Sequence, residues 1–255
     1  MTLIQADNYG PWTVSLGSSR EPYLQILQSE LYAELQRLFS LRGGLVFQGR
    51  FDNMLAVTNG ISVEDHTEIQ ERVCQLFPIT LSMGVGAGKH PTEAQLNATG
   101  ALQTKGSSRN EKRRRILAVE GLLESINEGF VQIAHVDVND VTKLTDSISA
   151  YDAYVAMLNV HEALAKEFLQ VNSLVFFAGG DNFLVISNGL TEDQHREVLS
   201  RVSGEAGLEM KAGIGVTRTA TEALELASKA LDSIRSNRQE MLTTPFLATQ
   251  LESRL

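Results

Sequence analysis

The sequence predicts an α+β protein built from two tandem ferredoxin-like units, each of order βαββαβ, that arose by internal duplication. Three observations carry this expectation. Residues 45–102 align without a gap on residues 174–231 at an offset of 129, with 20 identities in 58 positions, and self-similarity at a fixed offset marks repeated architecture. An apolar run ending in Asp opens each half: LIQAD at Leu3–Asp7 and QIAHVD at Gln132–Asp137, matched with a shift of one residue. Helical and strand periods of the apolar residues alternate in the same order in both halves. The expected domains are residues 1–108 and residues 129–255, joined by a connecting helix over residues 109–128. The polar stretch KGSSRNE (Lys105–Glu111) marks the join, and Lys112–Ile126 reads as the helix.

Each element follows from local pattern. Leu3–Asp7 is an apolar strand. Tyr23–Leu41 sets Leu24, Leu27, Leu31, Leu35 and Leu38 at helical spacing, and Gly43-Gly44 ends that helix. Leu45–Gln48 and Met54–Thr58 are short strands around the tight segment Gly49–Asn53, a hairpin. Ser62 caps a helix over Val63–Leu76, with Asp65 in the capping-box position. Ile79–Val85 is a strand, and Thr92–Thr104 a helix capped by Thr92. The second half repeats the plan with helix Ala150–Leu169, hairpin Leu174–Ser187, helix Glu192–Val202 and strand Glu209–Val216.

Composition narrows the partners. The chain has 255 residues, 43% of them hydrophobic, so it can bury a full core. Lys and Arg total 22 against 31 Asp and Glu, a net charge of −9, which argues against nucleic acid as a partner because that needs a basic face. No stretch approaches the ~18 apolar residues of a membrane helix, and MTLIQADNYG is no signal peptide. The single Cys74 allows no internal disulfide and fits a reducing cytoplasm. The five histidines show no HxH or HxxxH spacing, so zinc is not expected.

In a ferredoxin-like plan the first strand lies beside the hairpin. An Asp ending that strand and an Asp in the hairpin turn then share one edge of the sheet. Each half offers such a pair, Asp7 with Asp52 and Asp137 with Asp181, and these four are the expected catalytic and metal-binding residues. Two convergent carboxylates suit Mg²⁺, which completes its octahedron with water and phosphate oxygens. Nucleotide contacts are expected from Asn8, Tyr9, Gly10 and Trp12, from Asn139 and Asp140, from Asn53 and Asn182, and from Gly179 and Gly180. Trp12 and Tyr9 offer rings to stack on a purine, and the glycine pair lets a phosphate approach the backbone. His135, His161 and His195 are candidate bases, although His195 matches His66 across the repeat and reads as structural. The pairs Gly84/Gly86 and Gly213/Gly215 read as close helix contacts, and Lys112–Arg115 as a solvated helix face.

The motifs resemble known families. AHVDVND (Ala134–Asp140) followed by AGGDNF (Ala178–Phe183) resembles the metal-binding strand and GGDEF hairpin of diguanylate cyclases, with Asn182 where that motif carries an acid. DNYGPWT (Asp7–Thr13) resembles the first metal motif of class III nucleotidyl cyclases, and Arg50-Phe51 replaces the paired glycines in the first half. Over the whole chain, DNYGPWT, RFDN (Arg50–Asn53), VTNG (Val57–Gly60), QIAHVDVND and GGDNF together resemble the GTP cyclohydrolase III family of palm-type enzymes. The resemblance implies GTP as substrate and a 2-amino-5-formylamino-6-(phosphoribosylamino)pyrimidinone product, with release of inorganic phosphate. It further implies Mg²⁺, activation by K⁺, a homo-oligomer (dimer or tetramer) and a place early in riboflavin or deazaflavin biosynthesis. The alternatives are a nucleotidyl cyclase or polymerase-like palm enzyme, and a GTP-binding sensor.

Overall fold

The computed structural model describes residues 1–120, 129–236 and 246–251. The chain divides into two compact units, one over Met1–Lys89 and Glu93–Gly129, the other beginning its main run at Phe130. In the first unit the elements are β1 (Thr2–Ala6), α1 (Tyr9–Ser15), α2 (Glu21–Ser40), β2 (Leu45–Arg50), β3 (Asn53–Val57), α3 (Val63–Leu76), β4 (Leu81–Gly86), α4 (Pro91–Gln103) and β5 (Leu117–Glu120). The strands order as β2-β3-β1-β4-β5. β1 runs antiparallel to both β3 and β4, which is the ferredoxin-like arrangement, and β5 adds a parallel edge to β4.

The leucine spacing forms α2 because Leu24, Leu27, Leu31, Leu35 and Phe39 all fall on one buried stripe. That stripe packs with Ile69 and Val73 of α3 on Ile4 and Ala6 of β1, Met54 and Ala56 of β3, and Leu81 and Met83 of β4. α3 starts where the capping box predicts: the Ser62 hydroxyl accepts from the Asp65 N–H, and the Asp65 carboxylate accepts from the Ser62 N–H.

The second unit repeats the plan with β6 (Val131–Val138), α5 (Val141–Ser147), α6 (Ala150–Gln170), β7 (Leu174–Gly179), β8 (Asn182–Ile186), α7 (Glu192–Ala206), β9 (Met210–Thr217), α8 (Ala220–Ser236) and β10 (Phe246–Leu251). Its strand order, β10-β9-β6-β8-β7, mirrors the first unit, again with a parallel fifth strand. Its core gathers Val136 and Val138 with Val160, Leu164 and Phe168 of α6, Val198 and Val202 of α7, and Ala212 and Ile214 of β9.

α4 and α8 cover the other face of each sheet. A Cβ on Gly84 would collide with the Ala98 carbonyl of α4, and one on Gly213 with the Ala227 carbonyl of α8. Both GxG pairs therefore serve backbone-to-helix packing, as the sequence suggested.

Two expectations need correction. Lys112–Ile126 is not a single connecting helix: residues 112–116 are turn and coil, and Leu117–Glu120 is β5. Residues 121–126 lie outside the described residues. The ladder of Leu117–Glu120 along Met83–Gly86 satisfies the backbone of this segment, and Ala118 packs on Ala101 and Leu102. Lys112–Arg115 is likewise no solvated helix face, because Arg113 is buried.

The second correction concerns register. Gln5 pairs with Asn53 and Ser82, whereas Asp137 pairs with Asn182 and Lys211. Since 182 − 53 and 211 − 82 are both the repeat offset of 129, Gln5 occupies the place of Asp137. The backbone bonds agree. Ala6 N–H donates to the Asp52 carbonyl as Val138 N–H does to Asp181, and Asp7 N–H donates to Thr80 as Asn139 N–H does to Glu209. Asp7 thus corresponds to Asn139, and Asn8 to Asp140, both left-handed at φ 53 and φ 58.

His66 and His195 hold equivalent structural posts. Each ring Nδ1 donates to its helix-capping residue's carbonyl, Ser62 at 2.6 Å and Thr191 at 2.8 Å. Each Nε2 accepts from a hydroxyl, Thr2 or Ser187, at 2.8 Å. The neutral rings are fully bonded, and burial pushes both pKa values down. With the folded pKa depressed, the unfolded chain binds protons first as pH falls. Stability is therefore full above the unfolded value of ~6.5 and declines below it, at up to ~1.4 kcal/mol per pH unit for each histidine. Urea unfolding at pH 7.5, 6.5 and 5.5 should show that decline, and His66→Gln/His195→Gln should flatten it; an equally steep decline in the variant would refute the assignment.

Candidate active site

The C-terminal end of β1 and the β2–β3 hairpin meet in the first unit, and the backbone bond from Ala6 N–H to the Asp52 carbonyl, 3.0 Å, ties them together. Asp7 follows Ala6 and is buried. Its Oδ1 accepts from the Ser82 hydroxyl at 2.6 Å; its Oδ2 accepts from the Thr80 hydroxyl at 2.8 Å and from the Arg115 N–H at 2.9 Å. The buried Arg113 guanidinium stands 3.9 Å from Oδ1 and is fixed by the Gly106 carbonyl and the Gln5 side chain, at 2.8 and 2.6 Å. Burial lowers its pKa, and the charge of Asp7 opposes that shift. Asp52 sits in the turn, partly exposed, and pairs with Arg50 at 2.8 Å, whose side chain is 78% exposed.

The second unit builds the same end differently. Asp137 is buried and its Oδ2 meets both Lys211 Nζ at 2.5 Å and Arg235 at 3.0 Å. Lys211, itself buried, also donates to Asn139 Oδ1 at 2.7 Å. Asp181 in the β7–β8 turn accepts from Asn182 Nδ2 at 2.8 Å. Asn182 Oδ1 accepts from His135 Nε2 at 2.9 Å, and His135 Nδ1 lies 3.1 Å from the Ser228 hydroxyl. Burial lowers the pKa of His135.

The other expected residues scatter by role. Tyr9 and Trp12 lie on α1 with ring centroids 5.8 Å apart, both packed on the edge of the first core. Gly10 is exposed on the same short helix. Asn53 Oδ1 accepts from Gln5 at 2.7 Å, so its amide is engaged between strands. Gly179 and Gly180 have φ 112 and φ 62 with open space around each α-carbon. The turn itself demands glycine there. The His161 ring packs tilted against Phe177 and Phe183, with centroids 6.2 and 5.6 Å away.

Whether these residues suit Mg²⁺ can be judged from their partners. Mg²⁺ takes one or two carboxylates and keeps its remaining positions for water and phosphate. Each carboxylate oxygen has two lone pairs. Asp7 Oδ1 uses one on Ser82 and lies 3.9 Å from the Arg113 guanidinium, and among the described residues the cation paired with Asp52 is the exposed Arg50. The first unit therefore keeps carboxylate lone pairs that a dication could use. The second does not: two cations already neutralise Asp137, and Lys211 lies in the interior where Ser82 stands in the first unit. The equivalence of the two Asp pairs expected from the sequence is thus lost. Residues that the sequence reading missed are Ser82, Thr80 and Gln28, whose Nε2 donates to the Tyr9 hydroxyl at 2.6 Å. Single polar residues inside apolar runs carry no periodic signal.

The comparisons with known proteins agree along most of the chain. The GTP cyclohydrolase III family matches residues 1–245. The chain is 49% identical to the GTP cyclohydrolase III of Methanothermobacter thermautotrophicus over 236 residues, 92% of this chain and 94% of that protein. It is 47% identical to the GTP cyclohydrolase III of Methanocaldococcus jannaschii over 236 residues, 92% of this chain and 87% of that one. Among solved structures, the active GGEEF domain of a diguanylate cyclase from Vibrio cholerae covers 49% of this chain and 86% of its own. Its TM-score is 0.41 at 8% identity, a likeness too slight to bear on function. Identity of this order across both units decides the assignment: the chain belongs to the GTP cyclohydrolase III family.

Proposed function

We propose that this protein is a hydrolase that opens the imidazole ring of GTP and releases inorganic phosphate, giving 2-amino-5-formylamino-6-(phosphoribosylamino)pyrimidinone. The observation that carries the reading is the match to GTP cyclohydrolase III over residues 1–245, which spans both units. The atoms balance with three waters. One adds at C8 and the C8–N9 bond breaks, leaving the formyl group on N7; two more remove the outer phosphoryl groups as inorganic phosphate.

The chemistry belongs at the β1 end of the first unit. Asp7 is held by three hydrogen bonds from Ser82, Thr80 and Arg115, so its carboxylate is oriented before substrate arrives. Asp52 projects from the hairpin beside it, where Arg50 can turn from the carboxylate toward a phosphate. A Mg²⁺ ion held by Asp7 and Asp52 would supply positive charge against the triphosphate and its departing oxygens. K⁺ completes the expected ion requirement as an activator. A homo-oligomer, dimer or tetramer, fits the exposed apolar row Tyr151, Tyr154, Val155 and Leu158 on α6. The lone Cys74 fits the cytoplasm, and among the described residues no helix is long and apolar enough to cross a membrane.

The test is an ultraviolet spectrum of GTP with protein, Mg²⁺ and K⁺, run beside a phosphate assay. Loss of the purine chromophore with phosphate release is expected. Pyrophosphate with an intact purine would identify a cyclase instead, and phosphate with an unchanged spectrum would leave only a phosphohydrolase.

A further inference from the structure

Buried polar atoms without a hydrogen-bond partner are costly, and a native fold keeps few of them. Among the described residues there are four: Asn8 Oδ1, Gln28 Oε1, Arg113 Nε and Ser203 Oγ. Three belong to the β1 end of the first unit. Asn8 directly follows Asp7, Arg113 stands beside Asp7, and Gln28 donates to Tyr9, the residue after Asn8. The fourth lies on α7.

The second unit shows that the fold does not need the Tyr9–Gln28 pair. The α2 stripe Leu31, Leu35 and Phe39 matches Val160, Leu164 and Phe168 of α6 at the repeat offset, which places Gln28 at Met157. The β1 register places Tyr9 at Val141. There Met157 is core and Val141 packs against it. One corner of the fold is thus closed with apolar side chains in one unit and with a Tyr–Gln pair in the other, whose second amide atom has no partner.

We propose that the carboxamide oxygens of Asn8 and Gln28 are the acceptors that read the base of the substrate, with Tyr9 as the residue positioning Gln28. This rests on the reading of the protein as acting on GTP. Both orphan atoms are acceptors, so the base that satisfies them presents two donors. Guanine does so with N1–H and the 2-amino group. Adenine presents a lone pair at N1 and has no 2-amino group, so at least one oxygen would stay unpaired against it. The geometry of Asn8 suits a fixed reader. Its φ of 53 is a left-handed conformation that Asn adopts readily, and its N–H is anchored on the Ser108 carbonyl at 2.7 Å.

The test measures dissociation constants for the β,γ-imido analogues of GTP and ATP with Mg²⁺, in the full chain and in three variants. Gln28→Met installs the residue that the second unit uses, Asn8→Gly keeps the left-handed backbone without strain, and Gln28→Glu keeps an acceptor oxygen. The wild type should prefer the guanine analogue. Gln28→Met and Asn8→Gly should each reduce that preference at least about tenfold, while Gln28→Glu retains it. Equal weakening of both analogues in Gln28→Met and Asn8→Gly would make the two residues merely structural and overturn the proposal. Should Gln28→Met fail to fold, the preference in Asn8→Gly and Gln28→Glu decides. A guanine preference lost in these variants, in a protein that never opens the purine ring, would sink the cyclohydrolase reading and leave this one standing.

Discussion

Asp52→Asn should lower the rate of GTP ring opening at least about 100-fold while hardly changing stability. The two halves of this expectation come from different facts. Stability is spared because the Asp52 carboxylate is partly exposed and its partner Arg50 is a surface side chain; such pairs contribute ~0–1 kcal/mol. That corresponds to a shift in thermal midpoint of no more than about 2–4 °C. Activity suffers because an amide keeps the shape but removes the charge proposed to hold a dication, and the loss of one preorganised electrostatic contact costs on the order of 10²–10³ in rate. Asp7→Asn should lower activity as much, but less cleanly. Asp7 accepts a hydrogen bond from the Arg115 N–H, which cannot turn to become an acceptor, so an amide there also disturbs the fold. Steady-state rates and thermal unfolding of both variants make the check. An Asp52→Asn enzyme with wild-type turnover at saturating Mg²⁺ would remove this carboxylate from the chemistry.

Most of the fold was legible because burial imposes period. The α2 leucines, the Ser62 capping box and the short apolar hairpin strands were all legible, and the structure places them within a few residues of the expected bounds. What escaped is what period cannot see. α1 and α5 are only seven residues each, too short for a stripe, and α1 contains Gly10-Pro11. β5 hides behind the cations Lys112–Arg115, since a four-residue edge strand needs only Ala118 buried. The register error is the instructive one. Matching Asp7 to Asp137 rather than to Asn139 is a slip of two residues, and a slip of two returns every side chain to the same face. The alternation is identical either way, so only the hydrogen-bond ladder separates the two registers. The first unit carries three more residues between β1 and β2 than the second does between β6 and β7, and the matching Asp residues concealed that difference. The candidate site was accordingly half legible. The carboxylates at the strand ends and turns were legible, but not the buried lysine that neutralises one of them.

That lysine leads to the second large effect, on stability. Asp137→Asn should destabilise the protein by about 3–5 kcal/mol, the usual result of removing one partner from a buried ion pair. The cost falls on Lys211, which would keep Asn139 Oδ1 at 2.7 Å but lose the carboxylate that neutralises it in the interior. Arg235 would lose the same partner, with less effect, because it is partly exposed and retains Asp232 at 3.1 Å. Lys211→Met in the Asp137→Asn background should then recover part of the loss, since a methionine of similar length leaves no charge to solvate. Lys211→Met alone should destabilise, because it strands the buried carboxylate on the surface-side Arg235. The double-mutant cycle by urea unfolding reads this coupling directly. Alongside it, Mg²⁺ binding to the Asp137→Asn/Lys211→Met protein should match the wild type. In the first unit the register places Gln5, Asp7 and Ser82 where the second has Asp137, Asn139 and Lys211, so the carboxylate has moved by one pleat and the ammonium is gone. One unit closes its acid on two cations; the other holds its acid on two hydroxyls and a backbone N–H, with a guanidinium no nearer than 3.9 Å. A Mg²⁺ stoichiometry that drops in the double variant, with no change in unfolding free energy for Asp137→Asn, would reverse that division.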